Sequence, residues 1–210
     1  LFNLKLLAHT RLEDTAGIEE TLLMAVDRFP EDESMPRRLI SFYQGMGDLD
    51  GAEAFLRDRA QAAEPGEERD GARATLVRFV ARTRGVDAAL DELDAYEADG
   101  GNPDLFRSLR AGLLFEQIAR DEAVAIMEDI LADAPATDQT RAIKVAFARM
   151  LAAGGNEVGA RARIEEVLAE DQGMVEALQM RAARLIEDDR ADEAIVELRK
   201  ALAQEPESVP

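Results

Sequence analysis

The sequence predicts an all-α fold, a right-handed solenoid of antiparallel helical hairpins, on three observations. Apolar residues recur at helical spacing along nearly the whole chain: Ile164, Val167 and Leu168 share one helix face, as do Ile195, Leu198, Ala201 and Leu202. Turn residues punctuate the chain at Gly47-Asp48, Gly85, Gly100-Gly101, Pro135, Gly154-Gly155 and Asp188-Asp189, each dividing stretches of one helix length. A pattern of small, apolar, apolar and Pro positions, at relative spacings 0, 4, 7 and 12, returns along the chain; Ala194 follows Ala160 by 34 residues.

Taken in order, Ile18, Leu22, Ala25 and Pro30 give the full pattern. Ala52, Leu56, Arg59 and Glu64 give it weakly, with Pro65 adjacent, and so do Ala89, Leu93, Tyr96 and Gly101. Ala123, Met127, Ile130 and Pro135 restore it; Ala160, Ile164 and Val167 keep three positions, with Gln172 in the place of Pro; Ala194, Leu198, Ala201 and Pro206 complete the series. These stretches are expected to be second helices of six units, about 1–32, 33–69, 70–103, 104–140, 141–174 and 175–210, forming a single repeat domain. A lone hairpin of this length buries too little apolar surface to offset its ordering entropy, so the units must stack. Leu1 opens inside an apolar run, and Ile195, Leu198 and Leu202 have no helix after them. The chain is therefore expected to be a piece of a longer one, with ends able to pair end to end.

The first-helix positions carry the family resemblance. One holds Leu39, Leu76, Arg110, Phe147 and Arg181; a small-residue position holds Ile40, Val77, Ala111, Ala148 and Ala182; a third holds His9, Tyr43, Val80, Leu114, Leu151 and Leu185. A fourth, ahead of these, holds Pro36, Arg73, Arg107, Lys144 and Leu178. With the second-helix pattern, this resembles the tetratricopeptide repeat, W-x2-L-G-x2-Y then A-x3-F then P, in a degenerate form. The likeness covers essentially the whole chain and implies a fragment of a bacterial repeat protein.

The resemblance implies a groove lined by first helices and a role in holding other proteins. Carried over position by position, the groove holds Arg37, Arg38, Arg78 and Arg82 in its N-terminal half. Leu105, Leu109, Phe115, Arg149, Met180 and Ile186 follow in its C-terminal half, with Ala74 and Val145 at equivalent positions. The full set of positions carries six Arg against three Glu, inside a chain of net charge −19. Such a surface suits a peptide with carboxylates at one end and apolar anchors at the other. Some family members clamp a terminal carboxylate with a Lys-x3-Asn pattern; Arg37 and Ser41 stand there instead.

Composition narrows the alternatives. With 44 acidic and 25 basic residues, the chain repels phosphate backbones and anionic lipid, so neither nucleic acid nor membrane insertion is expected. With no Cys and one His, it builds no thiolate metal site and no nucleophile–His system, so no cofactor and no enzyme activity are expected. His9 is read as a packing residue. Asp48-Leu49-Asp50-Gly51 is read as a turn, because a calcium loop would need an oxygen ligand at Met46 and Glu at Arg57. Glu19-Glu20 and Glu165-Glu166 are read as solvated helix faces. The expected function is a non-catalytic scaffold for a protein or peptide partner. The alternative is a helical spacer or regulatory arm of a larger enzyme or cell-envelope or export assembly. The compartment, cytoplasm or periplasm, is left open.

Overall fold

The structure is a computed structural model that describes residues 2–30, 32, 34–116 and 119–204. The expected chain opening at Leu1, the unit start at Glu33 and the turn at Pro206 lie outside the described residues. Among the described residues there are twelve helices and no strand. They are α1 (Phe2–Arg11), α2 (Thr15–Arg28), α3 (Ser34–Met46), α4 (Leu49–Ala62), α5 (Glu67–Arg84), α6 (Val86–Ala98), α7 (Pro103–Glu116), α8 (Arg120–Leu131), α9 (Asp138–Ala153), α10 (Glu157–Glu170), α11 (Val175–Glu187) and α12 (Ala191–Gln204). The chain divides into two compact units, Leu1–Gly85 and Val86–Pro210. Within each, every helix packs on the next in sequence, and α7 also packs on α9. The fold is an all-α helical repeat, as the periodicity predicts.

One turn recurs within the hairpins. In it a residue with positive φ ends the first helix, and the next residue caps the second. Glu13, Gly47, Gly155 and Asp189 take φ of 54°, 73°, 81° and 58°. The following amides, of Asp14, Asp48, Asn156 and Arg190, bond back to the carbonyls of His9, Tyr43, Leu151 and Leu185. That 6→1 bond is the Schellman closure of a helix C-terminus. Asp14, Asp48 and Asn156 then turn their side-chain oxygens onto the amides of Gly17, Gly51 and Gly159, at 3.0, 2.8 and 2.9 Å, and so start the second helix. The glycine matters because a Cβ at Gly51 would stand 2.5 Å from Asp48 Oδ2. Asp48-Leu49-Asp50-Gly51 is thus a turn and cap, as expected.

Small residues set the helix spacing. Ala111, Ala148 and Ala182 on first helices are buried, and so are Ala52, Ala89, Ala123, Ala160 and Ala194 on second helices. Ala111, Ala123 and Ala160 pack with Met127, Ile130, Ile143 and Phe147; Ala148 and Ala201 pack with Ile164, Val167 and Leu178. Each removes apolar surface at about 25 cal/mol per Å² while letting backbones approach.

Candidate interaction surfaces

Within the first compact unit, Arg78 and Arg82 stand one turn apart on α5, both exposed. Neither has a hydrogen-bond or ion-pair partner among the described residues. Their neighbour Arg84 differs: its Nε donates to Glu53 at 3.0 Å, and an Nη reaches Asp50. Desolvation lowers Arg78 from the ordinary guanidinium value, which leaves it charged at any physiological pH. On α3, Arg37 and Arg38 are exposed, and Arg38 Nη1 donates to Asn3 Oδ1 at 3.2 Å. Asp32 lies below the usual carboxylate range, chiefly through Ser34, with Arg38 and Arg37 adding their charge. Ala74 is buried, so it does not belong to an open face.

Within the second unit the apolar positions behave differently from a row of free anchors. Leu105 and Leu109 are half-buried. Phe115 packs on the Met127–Phe147 cluster, with the Arg120 guanidinium 5.1 Å from its ring centre. Met180 packs on the Ile164–Leu178 cluster, and Val145 is buried inside it. Ile186 alone of the apolar set is widely open, at 56% exposure. Arg149 on α9 is exposed and has no partner among the described residues. Apolar residues at these positions stabilise the repeat first, because each helix must cover its neighbour.

The sequence reading missed a cavity of about 520 Å³ formed by α10, α11, α12 and Ala152 at the end of α9. Of the ten singled-out residues only Met180 lines it. Its apolar lining includes Ala160, Ile164, Ala183 and Leu185. Its charged groups form a ladder. Arg184 Nη1 donates to Glu157 at 2.6 Å, Arg161 to Asp188 at 3.3 Å, and Arg190 to Glu193 through two bonds of 2.7 and 2.6 Å. Arg181 bridges the walls, reaching Glu165 on α10 at 3.2 Å and Glu197 on α12 at 2.5 Å. Burial raises Glu197, but the bonds from Arg181 and Lys200 outweigh it and hold the carboxyl below its ordinary value. The (i, i+4) row Glu157, Arg161, Glu165 was the available signal, and it became informative only once α11 supplied its partners.

Four residues read as bland have specific partners. His9 Nδ1 is hydrogen-bonded to Asp14 Oδ2 at 2.8 Å and packs against Gly17, so it braces the α1–α2 turn. Glu19 is half-buried and accepts the Tyr43 hydroxyl at 2.7 Å, while Glu165 and Glu166 pair with Arg181 and Arg163. Among the described residues no group of His, Asp or Glu is placed to hold a metal, and no helix is long and apolar enough to cross a membrane.

Solved structures share this architecture. A tetratricopeptide-repeat protein from Parabacteroides merdae ATCC 43184 superposes with a TM-score of 0.57 at 15% identity, over 99% of this chain and 93% of its own. The fold is that of the tetratricopeptide repeat. The type IV pilus biogenesis factor PilW matches at 0.52 and 16% identity, over 99% of this chain and 94% of its own. A chain of the APC/C hetero-tetramer Cut9–Hcn1 also matches at 0.52, with 12% identity over 96% of this chain; this chain spans 39% of its length. At these identities the likeness concerns fold alone. No protein-family model matches the chain. No curated protein matches it either.

The tetratricopeptide frame explains the degenerate positions. Where Leu39, Leu76 and Phe147 are buried, Arg110 and Arg181 stand instead. Each pairs with a carboxylate 16 residues earlier on the preceding second helix, Asp94 for Arg110 and Glu165 for Arg181. At the Trp position, Arg107 and Lys144 reach Asp129 and Glu170 near the ends of their own second helices, at 2.6 and 2.5 Å. Ion pairs thus take over contacts that apolar side chains make elsewhere.

Proposed function

We propose that the chain is a non-catalytic scaffold whose arginines Arg37, Arg38, Arg78 and Arg82 hold a carboxylate-bearing peptide or protein segment. One observation carries the reading. In a chain with 44 acidic residues, Arg78 and Arg82 have no partner among the described residues, while the arginines at the cavity are all paired. Charged guanidinium groups one helical turn apart present planar donors that match carboxylates. Arg149 on α9 and the open Ile186 on α11 add a second stretch for the same class of partner.

The test is binding of a fluorescent acetylated peptide carrying two glutamates, compared between the native chain and Arg37→Glu/Arg78→Glu/Arg82→Glu, after circular dichroism shows both equally helical. The reading requires the native chain to bind and the variant to lose at least about tenfold in affinity. Equal binding by both would sink it, and absence of binding by either would favour the spacer or regulatory arm.

A second reading concerns a further copy of this chain. On α1 Leu4 and Leu7 are exposed, as is Leu12 in the turn after it, and on α12 so are Ile195, Val196, Leu198 and Leu202. A stripe of this kind favours association when a complementary one is at hand. Sedimentation at rising concentration should show oligomers that Ile195→Glu/Leu198→Glu abolishes; a monomer throughout would refute it.

A further inference from the structure

We infer that the cavity between α10, α11 and α12 takes one arginine or lysine side chain from a partner protein. The site and its chemistry are independent of the arginines on α3 and α5. The volume of about 520 Å³ exceeds what one long side chain needs, and leaves room for the residues flanking it. Ile164, Met180, Ala183 and Leu185 offer apolar surface to the methylene stem of such a side chain, whose charged head stays at the rim.

The polar lining decides the sign of the ligand. Six carboxylates face the cavity against four guanidinium groups. Every one of those guanidinium groups already donates to a carboxylate. Arg184 Nε has no hydrogen-bond partner, but it is sealed from solvent and so from any anion entering the cavity. The guanidinium groups keep further N–H donors, but the lining holds two more carboxylates than guanidinium groups, and a carboxylate offers about four lone-pair sites. Glu187 receives only one long bond, of 3.3 Å from Arg184, and is 67% exposed. Glu157 receives one bond and is 43% exposed. An incoming ammonium or guanidinium meets free acceptors and offsets the excess of negative charge; an incoming carboxylate adds to that excess.

The experiment is a titration of the isotope-labelled chain with acetyl-Ala-Ala-Arg-Leu-Ala-Ala-amide, followed by amide NMR signals, with the Glu-for-Arg peptide alongside. Saturable shifts are expected in α11 and the start of α12 with the arginine peptide and not with the glutamate peptide. Ala183 is exposed and lines the cavity, so Ala183→Phe fills it without changing charge. This variant is expected to weaken binding at least about tenfold. Shifts that survive Ala183→Phe unchanged would mean general attraction to an acidic chain and would overturn the inference, as would equal shifts in α11 and α12 from the glutamate peptide or no shifts there at all. Should Ala183→Phe lose helicity, Glu157→Gln/Glu187→Gln carries the same requirement.

Discussion

Arg110 donates to Asp94 at 2.6 Å from a repeat position that Leu39, Leu76 and Phe147 fill with buried apolar side chains. The same guanidinium reaches Glu97 at 3.1 Å, whose other oxygen is buried without a partner. An arginine in a leucine slot is therefore held by carboxylates, and those carboxylates depend on it.

Replacing that arginine with the residue the repeat favours should destabilise the chain. Arg110→Leu leaves Glu97 half-buried and unpaired, at a cost of about 1–3 kcal/mol, reduced from a fully buried pair because Asp94 is open to solvent. Adding Glu97→Leu should recover most of the loss. Urea unfolding of the single and double variants measures both, and a single variant as stable as the native chain would contradict the account.

The cap at Asp14 gives a pH dependence of definite sign. The Gly17 amide, and then His9, favour its charged form and hold it below the usual carboxylate range. A depressed folded value means that the cap's contribution is present above the unfolded value and lost as pH falls through the folded one. Asp14→Asn keeps an oxygen acceptor, as Asn156 does in α10, so stability at neutral pH should hold. The acid limb of the stability curve, below the ordinary carboxylate value, should become shallower. An unchanged limb would show that the cap titrates nothing.

Tyr43 supplies the alkaline counterpart. Burial, with Glu19 beside it, pushes its hydroxyl up to about 12. A raised value means stability that is complete below the unfolded value near 10 and lost as pH rises through the folded one. Absorbance titration should find one of the two tyrosines ionising late, and Tyr43→Phe should remove that phase. The variant should cost about 1 kcal/mol at neutral pH through the lost bond to Glu19.

Two glycine substitutions should act in opposite directions. Nothing lies within 4 Å of a Cβ placed at Gly45, inside α3, so Gly45→Ala should stabilise by about 0.5–1 kcal/mol. At Gly51 the Cβ would press on the Asp48 carboxylate, so Gly51→Ala should cost about 0.5–2 kcal/mol through the displaced cap. Thermal melts of the pair decide it; two shifts of the same sign would disprove the cap's role.

The helices, the positive-φ turns at Gly47, Gly155 and Asp189, and the buried alanines were legible because each rests on local periodicity or backbone geometry. The turn at Glu13 was not, since a Glu, unlike a Gly or the Asp188-Asp189 pair, is not a turn-forming residue. The partners of Arg110, Arg161 and Arg181 were not legible either. Charge pairing between helices depends on which faces meet, and the sequence marks polar faces only as polar. The same limit made Phe115 and Met180 look like free anchors, whereas the helices beside them claim both side chains.

The turn that joins α3 to α4 and α9 to α10 uses one residue to close one helix and open the next, so it has no slack. The capping residue follows the residue whose carbonyl closes the turn by five positions, Asp48 after Tyr43 and Asn156 after Leu151 alike. Length variation must enter elsewhere, and it does. Of the first helices, α5 and α9 are the longest, with 18 and 16 residues, and the repeat starts that fall within them lie three residues beyond their first residues. Three residues are close to one helical turn of about 3.6, so the added length returns the chain nearly to the same face. Where this turn occurs, then, the hairpin corners behave as fixed joints, and growth occurs by close to one turn at the starts of α5 and α9.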